Sequence, residues 1–242
     1  MRLSDFTVLS FDCYGTLIDW ETGITRAVAP WLNDVGVTAS RDEILRAFAN
    51  AESDLQMAMP GAPYPEILAA VHPAMAEHFG VPPNEEAAAS FGASVKDWPP
   101  FSDSVEALGY LAQHYQLVIL SNVDQTSFAH SNEKLEVAFD AVFTAQDAGS
   151  YKPHPNNFRY MLDRLAERGV AQEKILHTAE SLYHDHVPAK QFGLATCWIH
   201  RRAGQAGHGA TRPPEVEVHP DFRFESLAAM AAAHQAEIAA AG

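Results

Sequence analysis

Four segments of the chain place reactive side chains at the ends of short apolar runs. FTVLSFD ends in Asp12 and continues Cys13-Tyr14-Gly15-Thr16; LVILS ends in Ser121, with Asn122 next; Gly149-Ser150-Tyr151-Lys152-Pro153 follows a third run; ILHTAE ends in Glu180, with Asp185 five residues on. In an open parallel sheet, ligands bind beyond the carboxyl ends of the strands. A carboxylate, hydroxyls, an ammonium and a further acidic pair therefore meet at one edge. These are the group types from which nucleophilic and acid–base sites are assembled. A charged residue ending a buried strand is rarely there without a task, which singles out Asp12. Lys152 also reads as a solvated loop lysine, and Ser121, Asn122 and Thr16 as helix caps.

A sheet must carry those groups. Residues 6–12, 117–121, 141–145, 175–180 and 195–200 are near-continuously apolar, as strands buried on both faces are. Helical patterns separate the later ones. Asp103-Ser104-Val105-Glu106 reads as a capping box, and Pro155 opens a run with Phe158, Met161, Leu162 and Leu165 at helical spacing. The alternation predicts an α/β fold, a Rossmann-like doubly wound parallel sheet. Residues 17–100 break it with amphipathic helices alone: one carries Ala27, Val28, Trp31, Leu32 and Val35, a second opens at the capping box Ser40-Arg41-Asp42-Glu43, and a third carries Ile67, Leu68, Val71, Met75 and Phe79. Residues 1–16 and 101–242 thus form the expected core, and residues 17–100 an inserted helical cap. Residues 201–220 are expected as a surface loop, and 227–241 as a closing helix.

Among 242 residues, 47% are hydrophobic, which suits a globular chain, and 31 acidic against 16 basic side chains give a formal charge of −15. A phosphate backbone or an anionic membrane surface is bound through a basic stripe, so neither is an expected partner. The two cysteines, Cys13 and Cys197, form no disulfide or zinc pattern, and neither a leader segment nor a membrane-length apolar run is evident. The expected location is the cytoplasm.

Taken in order and spacing, FDCYGTL, the helical insertion, LSN, YKP and the acidic pair resemble the haloacid dehalogenase superfamily over essentially the whole chain. The resemblance implies that Asp12 is the nucleophile and forms an ester that water then cleaves. Thr16, Ser121 and Asn122 would position it or bind the substrate's anionic group. Lys152 would neutralise charge around Asp12 and hold its pKa low, and Asp185 would orient the water or Lys152.

Phosphatases of the superfamily carry an acid two residues after the nucleophile, because an alkoxide needs a proton to leave. Here that residue is Tyr14, a phenol and a poor acid near neutrality. A halide needs no proton, and Asp-x-Tyr-Gly-Thr resembles the type II branch, the (S)-2-haloacid dehalogenases. The implied partner is a small-molecule carboxylate, and members are often homodimers. A ring-opening member, azetidine-2-carboxylate hydrolase, is similar in YGTLIDW, AESLYHDH and Asn156-Asn157-Phe158, and supplies an alternative leaving group in a strained ring nitrogen.

The branch departs here in Glu180, Leu182 and Phe158, and in its substrate-gripping cap arginine, for which Arg46 and Arg41 are candidates. Glu180 and Asp185 copy the acidic pair with which phosphatases help hold Mg²⁺. No cofactor is expected, but an ion held by Asp12, Glu180 and Asp185, and with it a Mg-dependent phosphatase, stays open. A non-catalytic binding relative is a further alternative. His154, His177, His184 and His186 read as hydrogen-bonding partners before metal ligands. Trp20, Tyr64 and Trp98 read as packing or as walls of a small pocket.

Overall fold

The computed structural model describes residues 1–241. Five parallel strands stand where the apolar runs lie: β1 (Val8–Phe11), β2 (Gln116–Ser121), β3 (Ala141–Thr144), β4 (Ile175–Ala179) and β5 (Ala195–Ile199). A sixth, β6 (Phe222–Phe224), was not expected and completes the order β3-β2-β1-β4-β5-β6. Three residues with Arg223 in the middle give little strand signal; Phe222 is fixed instead by its register against Cys197 on β5 and an edge-to-face contact with Phe6.

Strand alternation divides the core into two layers. Val8, Val118, Leu120 and Ile175 pack against Phe158, Met161 and Leu165 of α8 (Pro155–Glu167) and Ala189 of α9 (Val187–Gln191). Leu9, Phe11, Leu117, Ile119 and Leu176 face the other way, against α5 (Ser104–Leu111) and α10 (Leu227–Ala241). At roughly 25 cal/mol per Å² of apolar surface removed from water, these two layers supply the main drive for folding. Between them, α6 (Gln125–Leu135) follows β2, and the single turn α7 (Ala145–Ala148) follows β3.

The expected capping box at the start of α5 does not form. Asp103 has helical backbone angles and no cap hydrogen bond; its carboxylate accepts from Arg201 at 2.7 and 2.9 Å and from the Ala228 backbone at 3.0 Å. A charged partner outcompeted the neutral helix end.

Four helices fill the insertion: α1 (Trp20–Asp34), α2 (Arg41–Ala58), α3 (Tyr64–Phe79) and α4 (Glu85–Gly92). Asp19, Ser40 and Asn84 cap α1, α2 and α4 by accepting from backbone N–H groups. The chain leaves and returns through paired segments, with Asp19 N–H donating to the Pro99 carbonyl at 2.8 Å and Phe101 N–H to Leu17 at 3.0 Å. Residues 201–220, without helix or strand, run back over the insertion: Arg202 pairs with Glu21 of α1 at 2.7 Å and Arg212 with Asp54 of α2 at 2.8 Å. No described helix is long and apolar enough to cross a membrane.

Candidate active site

Asp12 lies one residue beyond β1, where the parallel ladder ends. Gly15, with φ +92°, turns the chain back at once, and a side chain there would sit 2.9 Å from the Trp20 indole nitrogen. This reversal brings Thr16 under its own nucleophile: the Thr16 hydroxyl donates to Asp12 Oδ2 at 2.7 Å and accepts from the Glu180 backbone N–H at 2.9 Å.

Lys152, 1% exposed, comes from the loop after α7. Its ammonium donates to Asp12 Oδ1 at 3.0 Å, Asp185 Oδ1 at 2.7 Å and the Leu120 carbonyl at 2.8 Å, so all its N–H donors are engaged. The solvated-loop reading of Lys152 is thereby excluded. Asn122 holds its backbone from both sides, accepting from Lys152 N–H at 2.6 Å and donating to its carbonyl at 2.9 Å. The cap of α6 is Asp124, which accepts from Ser127 N–H, so neither Ser121 nor Asn122 serves there. The Ser121 hydroxyl is buried without a partner.

Asp185 stands in a single π-helical turn, Leu182–His186, capped by Ser181. Its Oδ1 also accepts from His177 Nε2 at 3.0 Å, and His177 Nδ1 accepts from the Ser10 hydroxyl at 2.9 Å. Asp185 Oδ2 has no partner. A relay Ser10–His177–Asp185–Lys152–Asp12 thus spans the carboxyl edge.

Burial sets the charges of this relay. It would raise Asp185, but Lys152 and the His177 hydrogen bond hold that carboxyl well below the usual range. Burial would lower the Lys152 ammonium, yet Asp12 and Asp185 keep it above its ordinary value. For Asp12, burial wins over Lys152, and the charge of Asp185 adds to it, so its pKa rises. Lys152 does pull Asp12 down, as expected, but burial is the larger influence, so the carboxyl is not held low overall. A less stabilised carboxylate is the better nucleophile.

Asp12, Lys152 and Asp185 face a cavity of about 20 Å³, space for roughly one water. Tyr14, Trp20 and Tyr64 wall it. Tyr14 and Tyr64 stack at 6.3 Å, and Trp98 packs edge-on against both without lining the space. The Tyr14 hydroxyl points away to Ser131 at 2.9 Å, and burial raises its pKa well above 10, so it is no proton donor here. A larger groove of about 440 Å³ lies alongside, lined by Gln56, Tyr151 and Tyr183 and sharing Lys152 and His184. It holds neither Asp12 nor Asp185, so the reactive carboxylates belong to the small cavity.

The cap arginines are not where they were expected. Arg46 is exposed on α2 and lines no described cavity, and Arg41 donates to Thr25, Glu21 and Thr22. The cap instead contributes Glu52, 2% exposed, whose Oε1 accepts from the Tyr64 hydroxyl at 2.8 Å and Gln56 Nε2 at 2.9 Å. Burial pushes its carboxyl up to about 7. The sequence reading missed it, although its position carries a signal: four residues after Phe48 and seven after Leu45, it lies on the apolar face of α2. Thr211, from the segment 201–220, and His184 complete the wall; burial takes His184 down to about 4, which leaves its imidazole neutral.

The triad considered for Mg²⁺ is not assembled. Among the described residues, no three His, Cys, Asp or Glu side chains could hold a metal. The Lys152 ammonium sits between Asp12 and Asp185, and Glu180 lines a separate cavity with Arg201 and Arg202. Two like charges compete for one place, so these residues do not fit the ion. His177 and His186 make hydrogen bonds, the latter to the Ala179 carbonyl at 2.9 Å, and His154 caps α8.

Residues 6–178 match the model of the haloacid dehalogenase-like hydrolases. The chain belongs to that family. As a member it is 36% identical over 106 residues to haloacetate dehalogenase H-2 of Moraxella sp. (strain B), a match spanning 42% of this chain and 45% of that relative, so less than half of the curated protein's length is covered. This haloacid dehalogenase-like chain also superposes on the L-2-haloacid dehalogenase of Xanthobacter autotrophicus with chloropropionic acid covalently bound: TM-score 0.72, 19% identity, 95% of this chain and 98% of that one. A putative HAD-hydrolase of Bacillus subtilis bound to magnesium has a TM-score of 0.73 at 17% identity, over 95% and 97%. At such identities the structures share the fold.

Proposed function

We propose that this family member is a small-molecule hydrolase in which Asp12 displaces a leaving group from the saturated carbon next to a substrate carboxylate. One Asp12 oxygen bonds to carbon as the leaving group takes the bonding pair. Water then attacks the ester, returning the Asp12 carboxylate and releasing a 2-hydroxy acid. The carrying observation is the setting of Asp12: a buried carboxylate of raised pKa, steadied by Thr16 and Lys152, facing a small cavity with no acid at Tyr14.

Asp185 lines the cavity with one oxygen unpartnered, which in this reading orients the hydrolytic water; the Ser121 hydroxyl is likewise buried and unpartnered and is held for the substrate carboxylate. Because the cavity as it stands admits little more than a water, the cap must shift to take in substrate; its reclosure excludes other water from the ester.

Halide is the leaving group by analogy with the haloacetate and L-2-haloacid dehalogenases. A strained ring nitrogen is the second reading, favoured by one observation: the cap side of the cavity presents the carboxyl of Glu52. Turnover assays on 2-chloropropionate, azetidine-2-carboxylate and a phosphate ester, with and without Mg²⁺, test the proposal. Activity is expected on a carboxylate, unchanged by chelator and abolished in Asp12→Asn. Phosphate-ester hydrolysis dependent on Mg²⁺ would refute it.

A further inference from the structure

One fully buried histidine lies behind the core wall, and both of its ring nitrogens are engaged. His177 and Ser10 stand directly opposite each other in the register of β4 on β1. Strand alternation turns them to the layer of Val8 and Ile175, where Phe158 of α8 packs edge-on against the imidazole at 5.0 Å. Neither His177 nor Ser10 lines the catalytic cavity. His177 therefore reaches the reaction only through what it touches, the Asp185 carboxylate at 3.0 Å.

Its partners assign the tautomer. Against the burial of Asp185, Lys152 and His177 keep that carboxyl ionised, and a carboxylate only accepts, so Nε2 carries the hydrogen. Nδ1 is left to accept, and the Ser10 hydroxyl, which has no other partner among the described residues, donates to it at 2.9 Å. The opposite tautomer would set a lone pair against the carboxylate.

Two donors now meet on one oxygen. Lys152 reaches Asp185 Oδ1 at 2.7 Å and His177 reaches the same atom, while Oδ2 has no partner. A carboxylate held by the ammonium alone could turn about its Cβ–Cγ bond and offer it either oxygen. The imidazole, arriving from β4 and not from the loop of Lys152, removes that choice and leaves Oδ2 for water. The contacts that prepare Asp12 for displacement, from Thr16 at 2.7 Å and Lys152 at 3.0 Å, do not involve His177.

We infer that His177, with Ser10 behind it, is a positioning residue for the second half of the reaction alone, holding Asp185 to take a proton from the water that cleaves the Asp12 ester. The inference rests on the reading of Asp12 as nucleophile and adds a division of labour among the residues around it. In this half, the water oxygen bonds to the Asp12 carboxyl carbon. The bond from that carbon to the oxygen of the 2-hydroxy acid breaks, and its electron pair leaves with that oxygen. One water proton passes by way of Asp185 Oδ2 to the departing oxygen, and the other is released as the Asp12 carboxyl ionises. No other reactant is needed.

The test compares wild type with three variants of the intact enzyme on 2-chloropropionate. His177→Phe keeps a ring against Phe158 but has no donor, His177→Gln offers an amide donor in place of Nε2, and Ser10→Ala leaves the tautomer unpinned. Rapid quenching and mass spectrometry follow the ester on the Asp12 peptide beside steady-state kinetics. In His177→Phe the ester is expected to be cleaved about tenfold more slowly and to accumulate, with kcat and KM falling together. kcat/KM covers only the steps up to displacement and should stay within about twofold of wild type. His177→Gln should recover most of the loss, and Ser10→Ala should show the same pattern at about threefold. Ser10→Ala, the smallest change, carries the test where the larger ones do not fold. A fall in kcat/KM as large as that in kcat marks a merely structural histidine and overturns the assignment. An ester present on Asp12 but cleaved at the wild-type rate in every variant also overturns it, and leaves the nucleophile standing. Turnover with no ester on Asp12 in any of these proteins removes both.

Discussion

The two walls of the catalytic cavity are built on opposite principles. On the core side, Asp12, Lys152, Asp185 and His177 form a charge relay in which the ammonium has spent every donor and Asp185 Oδ2 stays unpartnered. On the cap side, Glu52 is held by neutral partners and keeps one oxygen unmatched. The core wall is fixed by the ends of strands and the cap wall by one helix face; in the proposed function the first would supply the reaction. A saturated ionic relay is rigid and tuned once, whereas a lone protonatable carboxyl responds to what binds.

Breaking the core wall should have the largest effect. Lys152→Met leaves Asp12 and Asp185 buried without their shared cation, so stability should fall by about 3–5 kcal/mol and kcat by about 100- to 1,000-fold. Thermal unfolding and steady-state kinetics check this. A variant that keeps wild-type kcat would show that the relay does not tune Asp12.

The cap wall should reveal itself through pH. Glu52 is raised to about 7 by burial, against the pull of the Tyr64 hydrogen bond and Arg212, while Asp12 raises it further. Lys152, Asp185 and the neutral His184 face it across the cavity, with Gln56 beside it. An acid whose folded pKa exceeds its unfolded value contributes stability that is full below the unfolded pKa and lost as pH rises through the folded one. Wild type should therefore lose about 3 kcal/mol relative to Glu52→Gln between pH 4.5 and 8. Urea unfolding at both ends of that window measures the difference; identical pH profiles would place the carboxyl outside the apolar wall.

His177→Ala sharpens the comparison on a smaller scale. It removes one donor from Asp185 while Lys152 stays, and is expected to cost about 1.5–3 kcal/mol, with kcat reduced by about tenfold. A loss as large as that of Lys152→Met would make the imidazole an equal partner. The smallest effect belongs to Arg46→Ala: the side chain is exposed and away from the cavity, so stability should change by less than about 0.5 kcal/mol. kcat/KM should also stay within about twofold, and a large rise in KM would restore Arg46 as the substrate grip.

The core wall could be read from the sequence because each residue is anchored to a strand end or the loop just past one: Asp12 after the run ending in Phe11, Ser121 at the end of β2, Asp185 just past β4. The period of a buried strand and the rule that ligands gather at its carboxyl end are both local. The cap wall was not read, for a different reason. Glu52 takes its meaning from what α2 packs against, and its place on an apolar helix face says only that it is buried, not that it looks across at Asp12. Arg46 is a candidate only as a counterpart of the branch's cap arginine, and the helix turns it to solvent. Thr211 reached the cavity through a segment whose glycines and prolines show a loop but not where the loop goes; Arg202 and Arg212, pairing with Glu21 and Asp54, decide that. Likewise, Asp103 abandoned its helix for Arg201, a partner 98 residues distant in sequence.

Repeated turnover in heavy-oxygen water, followed by mass spectrometry of the peptide containing Asp12, bears most directly on how this site works. Label should accumulate in the Asp12 carboxyl, because the water that cleaves the ester leaves its oxygen there before the next cycle passes it to product. Label found in product from the first turnover, with Asp12 left unlabelled, would mean that water attacks the substrate itself and that Asp12 never bonds to carbon.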